Sequence, residues 1–143
     1  MSDQDVQRPP VPTGGPSMHD VVIEELTAGD HVVGTTGLTT TRRQALCRTL
    51  EQRKQLGLER YGTILQAHNG RDQLQDSVDE LADGIVYTRA LITEYEDGVH
   101  TPLSSVELTL IRAAYALTLE AARILTNVQA MRVAHAVVLV ESA

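Results

Sequence analysis

An all-α fold is predicted by three features of this 143-residue chain. Hydrophobic residues make up 42 %, yet aromatics only 3 %, all of them tyrosine, so the core must be Leu, Val, Ile and Ala, which suits packed helices. Over residues 72–95 the apolar positions recur at helical spacing. From 105 to 140 the pattern is helical again, with apolar residues around most of the circumference, as in a helix buried on more than one side. The length supports one domain with a real core. The expected architecture is a helical bundle of three to four helices. Its apolar surface calls for completion by homo-oligomerisation, as a homodimer or homotetramer. Residues 1–18 are expected to form a flexible N-terminal arm, and 19–143 a single helical domain.

The arm is marked by Pro9, Pro10, Pro12 and Pro16 with Gly14-Gly15. His19–Leu26 reads either as a helix turn capped by Asp20 or as a short strand through Val21–Ile23. Gly29-Asp30 signals a turn, and His31–Gly37 a short strand or an extended connector. Thr39, Thr40 and Thr41 offer N-caps for a first long helix, with Gln44 placed as in a capping box. That helix should end at about Leu56, with Gly57 as its stop. Leu58–His68 then forms a connector with a Tyr61-Gly62 turn, and Asn69-Gly70 a second turn. The acidic helix follows and ends at Asp97-Gly98. Pro102 precedes Ser104-Ser105, either of which can cap the last segment. That segment is one continuous helix, or two with a break near Thr126-Asn127, and His135 within it reads as a packing residue.

Charge and motif content exclude several function classes. The net charge of −7 and the lack of Trp and Phe argue against a nucleic-acid partner. Cys47 stands alone, so neither a disulfide framework nor a cysteine zinc site is expected. A signal peptide and a long uncharged apolar run are both missing, which predicts no membrane partner and a cytoplasmic protein. Phosphate-cradling glycine loops, a nucleophilic triad and a His pair at i, i+4 are also absent.

What remains is carboxylates on a helix, preceded by a run of cations. Asp72, Asp76, Asp79 and Asp83 follow the i, i+4, i+7, i+11 spacing and fall within an arc of roughly 60°, with Glu80 at its edge. Leu74, Val78, Leu81 and Ile85 lie opposite. The plain reading is a solvated acidic face; the sharper one is a platform for a hard divalent cation, which takes several carboxylate oxygens. Arg42, Arg43, Arg48, Arg53, Lys54 and Arg60 are half of all the basic residues. Carboxylates that bind Mg²⁺, with cations nearby, are the usual apparatus for chemistry on di- and triphosphates.

Several of these residues also carry a family resemblance. Leu56-Gly57-Leu58-Glu59-Arg60-Tyr61-Gly62, Asn69-Gly70-Arg71-Asp72, Asp76, Asp79-Glu80-Leu81-Ala82-Asp83 and Tyr87 resemble a group of small phage and prophage proteins. That group is similar to the all-α nucleoside triphosphate pyrophosphohydrolases, MazG-like and dimeric dUTPase-like. The resemblance covers under a third of the chain, from about Arg53 to Leu91. It implies a bacterial or phage-infected cytoplasm and an oligomeric helical bundle. The implied reaction is cleavage of a (d)NTP to (d)NMP and pyrophosphate, dependent on Mg²⁺ or Mn²⁺.

The family signature is E-x-x-E on one helix and E-x-x-D on the next. Glu80-Leu81-Ala82-Asp83 matches the second half. The first half has no match: the preceding helix offers only Glu51 and Glu59, at a different spacing. Asp76 and Asp79 are candidates to replace it, or Glu51 alone. The implied metal ligands are therefore Asp76, Asp79, Glu80, Asp83 and Glu51, with Glu80 and Asp79 as catalytic carboxylates. Arg53, Lys54, Arg60 and Arg71 are candidates for phosphate contacts, Asn69 for a base edge and Tyr61 for stacking; Tyr87 reads as packing. Two alternatives stand beside the enzyme: a protein that retains a nucleotide without hydrolysing it, and a structural helical assembly protein.

Overall fold

The computed structural model describes residues 10–28, 39–98 and 105–141. It is all-α, with α1 (Met18–Thr27), α2 (Thr40–Tyr61), α3 (Gln73–Glu96) and α4 (Ser105–Glu141). The segment expected as a strand or connector at His31–Gly37 lies outside the described residues. The chain divides into two compact units, Met1–Arg71 and Asp72–Ala143, a boundary inside the single domain expected over 19–143.

In the first unit α1 packs on α2. Residues 18–27 are helical rather than extended because His19, Ile23 and Leu26 share one face, and Leu26 is buried there. Ser17, not Asp20, sits at the N-cap, and the Leu65 carbonyl accepts the Met18 amide at 2.9 Å. Part of the expected arm is tied down in the same way. The Asn69 carbonyl accepts from the Val11 amide at 3.0 Å, Gln66 Oε1 accepts from the Thr13 amide at 2.9 Å, and Gln66 Nε2 donates to the Gly15 carbonyl.

The expected stop at Gly57 is corrected: α2 continues through it and ends at Gly62. Gly57 lies half-buried on the face that carries Cys47, Leu50 and Lys54, where a glycine costs only about 1 kcal/mol of helix propensity. Gly62 takes the left-handed conformation (φ 70°) and returns its amide to the Leu58 carbonyl, the geometry that ends helices. At the other end Thr39 is the cap, accepting from the Arg42 amide.

The second unit is an antiparallel helical hairpin. Glu96 meets Arg112, Gly84 lies against Thr118, and Gln75 meets Gln129, so the partners run in opposite directions. Leu74, Val78, Leu81, Ile85, Thr88, Ile92 and Tyr95 alternate at 4 and 3 along α3 and are all half-buried or buried. Leu108, Ile111, Tyr115, Thr118, Ala122, Leu125 and Gln129 repeat that spacing on α4. α4 is continuous through Thr126-Asn127, where the Thr126 hydroxyl donates to the Ala122 and Arg123 carbonyls.

The core is thin. Among the described residues only Leu26 and Ile92 are buried apolar side chains. Tyr87 and His135, both expected to pack, are exposed, because each lies on a helix face that the hairpin seam does not use.

Candidate functional site

The acidic stretch begins with a cap. Asp72 ends the Asn69–Asp72 turn and its carboxylate accepts from the Leu74 and Gln75 amides, so one of the expected acidic-arc residues serves the helix N-terminus. Asn69 is buried to 1 % exposure, and its Oδ1 accepts from the Arg71 amide at 3.2 Å. This corrects the base-reading role for Asn69, since its amide is inside the turn rather than at a surface.

Beyond the cap, Asp76, Asp79, Glu80 and Asp83 lie on the side of α3 opposite the seam with α4. Asp76 is half-buried and the other three are exposed. Asp79 accepts from Gln75 Nε2 at 2.8 Å, and Gln75 Oε1 accepts from Gln129 Nε2 at 2.8 Å. The hairpin thus positions Asp79 through a two-step relay. Gln75 was not among the expected site residues; its i, i+4 offset from Asp79 is the signal that could have identified it. No described hydrogen bond or ion pair engages Glu80 or Asp83.

The remaining candidates belong to the first unit. Glu51 is exposed on α2, accepts from Gln55 Nε2 at 2.9 Å and lies 3.9 Å from the Lys54 ammonium. Lys54 donates to both oxygens of Asp20, and that hydrogen bond holds its ammonium above the ordinary value of 10.5. It therefore serves the α1–α2 contact. Arg53 is exposed, Arg71 is half-buried, and the Arg60 guanidinium stands 5.3 Å from the Tyr61 ring centroid. His19 is held below 6.5, chiefly because burial disfavours its charged form; its Nδ1 is buried without a hydrogen-bond partner.

Among the described residues no three His, Cys, Asp or Glu side chains converge closely enough to hold a metal ion by themselves. None of the described helices is long and apolar enough to cross a membrane. No family model, curated protein or solved structure matches the chain.

Proposed function

We propose that the chain is a nucleoside triphosphate pyrophosphohydrolase dependent on Mg²⁺ or Mn²⁺, with the exposed face of α3 as its metal platform. The carrying observation is a ladder of like charges in which no described ion pair engages Asp79, Glu80 or Asp83. Asp76–Asp79, Asp76–Glu80, Asp79–Asp83 and Glu80–Asp83 are all neighbours at i, i+3 or i, i+4. Three other described acids, by contrast, sit in ion pairs: Asp20 with Lys54, Glu96 with Arg89 and Arg112, Glu120 with Arg123. Adjacent carboxylates without a counter-charge lower helix stability, and a bound cation reverses that cost.

Mg²⁺ fits such a face without a three-acid cage, because it commonly takes one or two carboxylates, keeps waters and completes its shell with substrate phosphates. When bound it neutralises phosphate charge and acidifies a water. Glu80 and Asp83, one turn apart, would hold the ion. Asp79, whose Oδ1 accepts from Gln75, would accept the proton of an attacking water. The test is a panel of ribo- and deoxynucleoside triphosphates with Mg²⁺, read for pyrophosphate. Release from at least one, abolished in Glu80→Ala, is expected; no turnover on the full panel sinks the enzyme.

A second reading, retention of a nucleotide without hydrolysis, is favoured by the engagement of Glu51 with Gln55 and Lys54. Calorimetry showing ligand uptake, with the triphosphate recovered intact, would select it.

A further inference from the structure

α4 carries a second apolar stripe, distinct from the seam it shares with α3. Leu110, Leu117, Ile124, Met131 and Val138 repeat every seven residues, and Ala114, Ala121, Val128 and His135 fill the alternate positions. No Asp, Glu, Lys or Arg interrupts those nine positions. The large members are open to solvent: Leu110 is 63 % exposed, Leu117 70 % and Met131 71 %. At 100° per residue the stripe lies roughly 110° around the helix from the α3 seam.

We infer that this stripe is a self-association surface, on which two copies of the chain pack α4 against α4, antiparallel, about a two-fold axis beside the Ala122–Arg123 peptide. The inference is independent of the nucleotide reading. Length argues for a second copy: the stripe runs roughly 42 Å, longer than α1, α2 or α3, with 10, 22 and 24 residues, can match.

Its own volumes argue the same way. About that axis Leu117 faces Val128 and Ala121 faces Ile124; further out Ala114 faces Met131 and Leu110 faces His135. Alanines thus stand opposite larger side chains in these layers, while at the outermost level Val138 faces Glu107. The pairing also covers the end of α4. Gln129 meets Gln75 near the start of α3, so residues 130–141 have no α3 alongside, and Met131, Val133, Val137 and Val138 are exposed there. In the antiparallel dimer this overhang lies against the first turns of the partner's α4. A seam of this length removes on the order of 1,500 Å² from water, the size of a stable interface.

The test is the mass of the full chain by light scattering at micromolar concentrations. The expected mass is twice the 15.6 kDa of one chain. Leu117→Glu with Val128→Glu should give a monomer that keeps its helical circular dichroism, while Leu119→Glu, exposed on another face, should leave the dimer intact. Orientation is read by oxidation in a Cys47→Ser chain. The double variant Ala114→Cys, Met131→Cys should cross-link and each single variant should not; should the glutamate variant lose its helix, this cross-link decides alone. A monomeric wild type, a dimer that survives the double glutamate variant with its helix retained, or a cross-link through Ala114→Cys alone would overturn the proposal.

Discussion

Both carboxylate oxygens of Asp20 hold the Lys54 ammonium, at 2.7 and 2.9 Å, joining the first turn of α1 to the C-terminal half of α2. The bond raises the Lys54 pKa above 10.5, so its stabilising effect is complete below that value and lost as pH rises through the raised one. Lys54→Met should lower the melting midpoint at neutral pH and weaken the alkaline loss. Nucleotide uptake should stay unchanged, because this cation is already committed. Loss of uptake with an unchanged midpoint would return Lys54 to the phosphate-binding residues.

If the α3 ladder is the proposed metal platform, it sets stability against activity. Glu80→Gln removes one charge from two like-charged neighbours, Asp76 and Asp83, each worth about 0.2–0.5 kcal/mol. The variant should melt higher than the parent without ligand while losing pyrophosphate release. Added NaCl should raise the parent's midpoint more than the variant's, since screening acts on the same repulsion. A variant that melts lower, in thermal scans at low salt, would show that the ladder carries no strain.

Three glycines should respond differently to alanine. Gly57, in α2 with open space at its Cβ position, should gain about 0.5–1 kcal/mol. Gly84 should gain a similar amount, because an added Cβ would sit 3.5 Å from Thr118 Cγ2, an ordinary contact. Gly62, at φ 70°, should instead lose about 1 kcal/mol or more. Denaturant melts of the three variants check the order.

Acid should act on the two units in separate windows. Burial holds His19 below 6.5, so folding favours its neutral form; that stability is present above 6.5 and lost as pH falls through the lowered value. Glu96 is held below 4.5, first by its hydrogen bond from Arg112, at 2.9 Å, and then by Arg89. Its contribution is present above 4.5 and lost below. Proton NMR should find the His19 midpoint under 6.5, and the hairpin signals should change only at lower pH. A His19 midpoint above 6.5 would contradict the burial argument.

Much of this was legible in local pattern. The capping threonine, the acidic ladder, the Asp97-Gly98 end and the opposed Leu74–Ile85 stripe all depend on neighbours within one or two turns. Two local signs misled. Gly57 carries the sequence sign of a stop, but the helix runs through it and ends where Gly62 takes the left-handed conformation. Asn69 carries the sign of an exposed turn, yet Val11, far away in sequence, closes over it. The span of α4 across Thr126 was open because a threonine can return its hydroxyl to the preceding turn and stay helical. Helical periodicity tells which face is apolar; it does not tell which of two apolar faces on α4 meets α3.

The hydrogen bonds from residues 11–18 to the 65–69 loop close a circuit of about fifty residues. Closing such a loop costs entropy that grows with its length, whereas the α3–α4 hairpin zips through contacts between neighbours in sequence. The clasp should therefore be the last part of the first unit to form and the first to open. Native-state hydrogen exchange would register it as a low-energy opening at the Val11, Thr13 and Met18 amides, ahead of any loss of protection in α2.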